Sequence, residues 1–368
     1  MKPELVYLNH GTVGAPPRRV LETVRGIRNE LESNPVGFLV RALPDRLRQA
    51  RQRVAGFLGA RAEDLVFVDN VSAAVNGVLR SLALESGDGI AITSLTYGGV
   101  AAAAKAVAKQ RNLMLHEVVL PFPVAHPDDV VNAFAKRLPP DTRLAIVDHV
   151  TADTSLVLPI ADIAELCRER GTTLLVDGAH APGMLPLDIQ ALGADIYVAN
   201  LHKWLWAPRP CGVLWARPEL QDQVRPAVAS WGYDQSFHAA FEWVGTKDPS
   251  PFLAAPEAIT MFEEVGPDAV RTYNHDLVWA GGNLLADRWG TARMAPESMV
   301  GAMMAVALPK TVPRTPGAVA AWLAHLHARG FEVSGATNGT EAWVRVAAQV
   351  YNELDDFVNL AEAAPMVA

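Results

Sequence analysis

The chain has 368 residues, half of them apolar and 20% charged, with a formal net charge of −8. That length accommodates one large domain and one smaller one, the composition excludes a disordered or fibrous chain, and the acidic balance argues against nucleic acid or an anionic membrane as principal partner. Two cysteines, Cys167 and Cys211, are too few for a disulfide framework or a structural zinc site, and both fall in apolar patterns as core residues.

In chain order, the opening Met1-Lys2-Pro3-Glu4 lacks the apolar core of a signal peptide. No apolar run is long enough to cross a bilayer, since Val100 to Ala104 is cut by Lys105, so a cytoplasmic protein is expected. The arginines between Arg41 and Arg51 interleave with apolar residues at helical spacing and predict an amphipathic helix with a solvated face. From Leu65 onward, strand-length apolar runs alternate with helical patterns. Leu65–Val68 precedes a helix from Ala73 to Ser81, Ile90–Thr93 precedes an alanine-rich helix, and Leu113–Leu120 precedes a helix over Val130–Leu138. Leu144–Val147 leads into the helix Ala161–Arg170, and Thr173–Val176 and Ile196–Ala199 follow. Continuous apolar strands between helices predict an α/β fold with a doubly wound, mostly parallel sheet covered on both faces. Ligands gather at the carboxyl ends of such strands. After about residue 256 helices through Ile259–Phe262, Val278–Leu285 and Ala318–Ala328 mix with strands at Met303–Leu308 and Ala342–Val346, which predicts a smaller α+β domain. The expected division is 15–255 for the large domain and 1–14 plus 256–368 for the small one.

Strand ends supply the chemistry. Asp177 closes one buried run and Lys203 follows the next. Neither charge is cheap to bury unless partnered, and either alone would read as a surface loop charge. Together they suit pyridoxal phosphate, which needs a lysine for its Schiff base and an acid to keep its pyridine nitrogen protonated. Val68-Asp69-Asn70-Val71-Ser72 has the strand-to-helix form that binds phosphate, with the Ser72 hydroxyl free to cap the helix or hold an oxyanion. No GxGxxG fingerprint or P-loop occurs. Tyr97, before Gly98-Gly99, could lie over a heterocycle or be an ordinary turn tyrosine, and His149 alone reads as a satisfied structural histidine.

Taken with Tyr7-Leu8-Asn9-His10-Gly11-Thr12, Asn34-Pro35-Val36-Gly37-Phe38, Asp177-Gly178-Ala179-His180-Ala181-Pro182-Gly183, Asn200-Leu201-His202-Lys203-Trp204, Glu242-Trp243-Val244-Gly245-Thr246-Lys247-Asp248 and Tyr351-Asn352-Glu353, these blocks resemble the class V aminotransferase family. The match lies within fold type I of the pyridoxal-phosphate proteins, in the branch containing isopenicillin N epimerase, and runs over nearly the whole chain. The resemblance implies that Lys203 forms the Schiff base and, once substrate forms the external aldimine, moves the Cα proton. It implies that Asp177 pairs with the ring nitrogen, His180 contacts the phenolic oxygen with Thr151 nearby, and Tyr97 stacks on the ring. Val71 and Ser72 would hold the phosphate, helped by Asn200 and His202. Thr246 would reach the phosphate of a neighbouring subunit, making the active form a homodimer with shared sites. Arg345 would clamp the carboxylate of an amino-acid substrate, and Asn9 and His10 would line its entrance.

Departures from the family pattern are Pro210 for a common glycine, Ala152-Asp153 for a Ser-Pro or Ser-Asn type pair, and Lys247 for a common arginine. The loop Ser334 to Thr340 lacks the cysteine of the cysteine desulfurases, which argues against a persulfide mechanism. The resemblance favours epimerase or C–S lyase chemistry over ordinary transamination. A non-catalytic ligand-binding protein of the same fold and an unrelated α/β enzyme are the remaining readings.

Overall fold

The computed structural model of the protein describes residue 2 and residues 4–364. Its strands are β1 (Val6–Tyr7), β2 (Leu65–Val68), β3 (Gly89–Thr93), β4 (Met114–Val118), β5 (Thr142–Asp148), β6 (Thr173–Asp177), β7 (Ile196–Asn200), β8 (Gly212–Ala216), β9 (Met303–Ala307), β10 (Phe331–Glu332), β11 (Ser334–Thr337) and β12 (Ala342–Ala347). Seven of them form one sheet in the order β2-β8-β7-β6-β5-β3-β4, in which β8 alone runs antiparallel to its neighbours.

Both faces of this sheet are buried, and strand parity decides which face each residue meets. On β5, β6 and β7, Ala145, Val147, Leu174, Val176, Tyr197 and Ala199 enter one core. Leu144, Ile146, Leu175, Ile196 and Val198 enter the other, with the helix Val71–Ser81. The same two-residue period carries Asp148, Asp177 and Asn200 at the carboxyl ends onto this second face, alongside the N-terminus of that helix. Asp148 and Asp177 are register partners on adjacent parallel strands.

A smaller antiparallel sheet, β11-β12-β9, packs against the helices Pro267–Trp289 and Leu354–Ala363 around its own core. The N-terminal strand joins this region, since β1 pairs with β10 in parallel and Ala347 N donates to Leu8 O at 2.8 Å. Those contacts carry Asn9 and His10 to the carboxyl edge of the large sheet.

Two local features differ from the expectations above. The helix expected from Ala73 begins at Val71, because Asn70 Oδ1 accepts from Ala73 N at 2.9 Å and makes the cap, which leaves Ser72 out of that role. The arginine-rich helix spans Leu43–Phe57 after a π-helical stretch, Gly37–Ala42, and is not solvated along every arginine. Leu43, Leu47, Ala50 and Val54 define its buried stripe, and the helical period places Arg51 on it, 9% exposed and paired with Glu242 at 2.9 Å.

Candidate active site

Lys203 and His180 form the centre of the site. Lys203 Nζ lies 3.0 Å from His180 Nε2, and Trp204 Nε1 donates to His180 Nδ1 at 3.3 Å. The loop between Asp177 and His180 lies flat against neighbouring elements because it carries small residues. A Cβ on Gly178 would sit 2.3 Å from the Tyr197 ring, and one on Gly183, at φ +87°, 2.4 Å from the Trp204 carbonyl. Burial, reinforced by Arg345, pushes Lys203 down to about 8, against the opposing pull of Asp177 and Asp148. Burial likewise depresses His180 well below its usual value, helped by Lys203 and Arg345.

Behind the lysine, His10 is fully buried. Its Nε2 donates to the Lys203 carbonyl at 3.0 Å, so its Nδ1 accepts from the Tyr351 hydroxyl at 2.8 Å. Desolvation holds this imidazole neutral, down to about 4. Asn9, expected with His10 at a substrate entrance, is also buried, and its Oδ1 accepts from Arg345 Nη2 at 2.8 Å and from Thr12 Oγ1 at 2.6 Å.

Asp177 Oδ1 accepts from Ala179 N at 2.9 Å. Asp148 Oδ1 accepts from Tyr97 N at 3.3 Å, while its Oδ2 is buried with no partner. Burial raises the pKa of both carboxyls, that of Asp177 to about 6, and Asp177 raises Asp148 further by repelling a second charge. Tyr97 itself is 46% exposed and caps the helix Gly98–Arg111, and Gly99 gives its ring room, since a Cβ there would lie 2.6 Å away. His149 is a satisfied structural histidine, bonded through Nδ1 to the buried Tyr197 hydroxyl at 2.8 Å.

At the N-terminus of the helix Val71–Ser81, Val71 N donates to Asn200 Oδ1 at 3.1 Å. Asn200 thereby fixes the helix start to the end of β7, and the Ser72 amide and hydroxyl face outward beside it. His202 Nδ1 sits 2.7 Å from Cys211 O and 3.0 Å from Cys211 N, which anchors the ring to the start of β8. Thr246 is exposed, while the adjacent Lys247 pairs with Asp69 at 2.7 Å, ahead of the helix.

Arg345, on β12, reaches across from the small sheet. Its Nη1 donates to Ala152 O at 2.6 Å, and its Nη2 to Asn9 and Thr12. Its Nε is buried without a partner. At Ala152-Asp153 the hydrogen bonds come from the backbone: Asp153 O accepts from Trp343 Nε1 at 2.8 Å. Thr151 is turned into its own loop, its hydroxyl 2.6 Å from Thr154 Oγ1 and accepting from Leu156 N at 2.8 Å.

These residues fit a phosphorylated, cationic heterocycle. Among the described residues the buried carboxylates Asp148 and Asp177 make no close ion pair, a helix N-terminus keeps donors that its own cap does not use, and burial lowers the pKa of the nearby Lys203. Asp148, Thr12, Trp204 and Tyr351 complete the arrangement; Asp148 was legible as a polar group at the end of a buried strand, and the other three lie in the motif blocks without a role assigned to them there. The even spacing of Asp148 from Leu144 on a buried strand was the available signal for one of them.

The fold and this floor define a pyridoxal-phosphate-dependent enzyme of fold type I. A family model described as Aminotransferase class-V matches residues 6–321. Isopenicillin N epimerase of Streptomyces clavuligerus is 34% identical over 99% of this chain and 95% of its own length. Putative L-cysteine desulfhydrase 1 of Oryza sativa subsp. japonica is 30% identical over 97% of this chain and 82% of its own. Among solved structures, the apo cysteine desulfurase of Thermococcus onnurineus NA1 shares the fold with a TM-score of 0.82 at 20% identity, covering 98% of this chain and 93% of that one. The chain belongs to the class V aminotransferase family, and pyridoxal 5'-phosphate is its cofactor.

Proposed function

We propose that the protein removes the Cα proton of an amino-acid substrate with Lys203 and completes the reaction as an epimerase or a C–S lyase. The observation that carries this reading is the buried Lys203 amine, 3.0 Å from His180 Nε2 and facing the Asp177 strand tip. When bound, pyridoxal phosphate supplies an electrophilic carbon and a conjugated ring that takes up the electron pair of the broken Cα bond. Asp177 would hold the ring nitrogen, His180 the phenolic oxygen with Thr151 behind it, and Tyr97 would cover the ring face. Ser72, with Val71, Asn200 and His202 fixing the helix start, would take the phosphate. Lys203 Nζ, drawn by burial down to about 8, would accept the proton in its free-amine form. Arg345, its buried Nε without a partner, would bind the substrate carboxylate, its guanidinium oriented by Asn9, Thr12 and Ala152 O.

A desulfurase mechanism through a cysteine persulfide does not suit this chain. Residues 334–341 carry no cysteine, and burial raises the thiols of both Cys167, to about 12, and Cys211, so neither offers a thiolate. Two buried, unpaired thiols also accord with a cytoplasmic setting. The exposed Thr246 and the apolar side chains around it support a homodimer in which Thr246 reaches the phosphate of the second subunit.

The test is Cα exchange in deuterated water across a panel of amino acids, with products identified. Wild type should wash out the Cα proton and yield inverted amino acid, or pyruvate with released sulfide. Lys203→Ala should lose exchange on the order of 10^4-fold. Keto acid as the sole product would replace this reading with transamination, and undiminished exchange in Lys203→Ala would end the assignment of the base.

A further inference from the structure

We propose that Trp204 fixes the tautomer of His180, so that this imidazole always presents its single proton from Nε2 into the lysine pocket. The argument is one of donors and acceptors. An indole N–H can only donate, and Trp204 Nε1 lies 3.3 Å from His180 Nδ1. His180 Nδ1 therefore carries a lone pair. Both side chains are buried, at 1% and 2% exposure. The charged groups that act on the ring are Lys203 and Arg345, with Asp177 and Asp148 acting on Lys203 and His10 tilted at 50° against Trp204. Burial, with the guanidinium of Arg345, keeps the imidazole neutral. A neutral ring with a lone pair on Nδ1 has its proton on Nε2, the atom 3.0 Å from Lys203 Nζ.

Two consequences follow from that placement. Lys203 meets His180 as an acceptor, so its resting partner selects the free amine over the ammonium. Whatever oxygen replaces the amine at that position meets a donor, and an ionised phenolic oxygen of the cofactor suits it. This second step rests on the reading of the site above, whereas the tautomer does not.

The indole is held from several sides. The His10 ring packs at 4.9 Å between centroids, and Val150, Met184, Ala302, Met303 and Ala347 share its cluster. Gly183 brings the His180 loop against the Trp204 backbone at a distance no side chain would permit. Trp204 is thus a positioning residue, acting through His180.

The experiment is nitrogen NMR of the holoenzyme with labelled histidine, the His180 signals being assigned by their loss in His180→Gln. The expected wild-type pattern is an unprotonated Nδ1 and a protonated Nε2, unchanged from about pH 5 to about pH 8. In Trp204→Phe, Nδ1 should gain a proton within that range, and the cofactor absorbance should acquire a second, histidine-like transition. A protonated Nδ1 in wild type overturns the proposal outright, with or without a folded variant. An unchanged nitrogen pattern in a folded Trp204→Phe also overturns it. Because the wild-type pattern is read independently of turnover, the tautomer can stand even if the assigned reaction fails.

Discussion

The floor of the site and the segment from residue 227 to residue 246 are built on opposite principles. At the floor, key polar side chains are held by residues far away in the chain: Asp148 by Tyr97, His10 by Tyr351, Arg345 by Asn9, and His180 by Trp204. In the other region Trp231 is 89% exposed and Val228 58%, and Thr246 stands in solvent, while Val36 and Val40 on the arginine-rich side are 62% and 64% exposed. Apolar surface of that kind marks a place where something else packs. The contrast separates the chemistry, which one chain arranges for itself, from the parts that would meet a second subunit and a substrate side chain.

The largest expected effect lies at the floor. Asp177→Asn keeps the shape and removes the charge, so turnover should fall on the order of 10^2-fold to 10^3-fold. Asp148→Asn should cost less than about tenfold, because burial, with repulsion from Asp177, favours the neutral form of this carboxyl. Steady-state kinetics of the two variants decide it, and equal losses would show that the pair shares one charge.

Next comes acid sensitivity. His10 and His149 are buried neutral, each pushed from 6.5 down to about 4. Between those values the unfolded chain binds protons that the folded chain does not, so stability is complete above about 6.5 and declines as pH falls toward 4. Each histidine should withdraw about 3 kcal/mol by the lower limit. Urea midpoints measured across this window check the slope, and a flat profile would mean that the rings are protonated in place.

The smallest effect on folding belongs to the exposed region. Trp231→Ala should change subunit stability by no more than about 0.5 kcal/mol, yet weaken self-association at least tenfold if Trp231 is buried between subunits. Sedimentation of dilute protein reads the second quantity and denaturation the first. A large loss of stability with unaltered association would remove the distinction between the two regions.

Much of this was legible in the amino-acid order. The strands of the large sheet were visible as unbroken apolar runs because both of their faces are covered, and the pairing of Asp177 with Lys203 pointed to the cofactor from two residues. Partners set by packing were not legible. Arg51 looked like one more solvated arginine until the helical stripe buried it, and Thr151 turned into its own loop. Asn70 displaced Ser72 as the cap through an ordinary competition between neighbours. Trp204 showed only as an apolar residue after a lysine, since nothing local says that its N–H meets a histidine 24 positions earlier. Asp148 and Asp177 were each visible, but their adjacency depends on the register of two strands joined by a helix.

The parallel pairing of β1 with β10 dictates an order of assembly during synthesis. Residues 6–10 leave the ribosome well before their partners, Phe331, Glu332, Ala347 and Tyr351, are made. At about 5–20 residues per second, the leading segment waits many seconds for its neighbours. Asp148, Asp177 and Lys203 can already stand on a completed sheet by then, because its last strand ends at Ala216. A nascent chain can therefore build the lysine pocket before the wall behind it, and the bond from the Tyr351 hydroxyl to His10 forms only when these two distant segments meet.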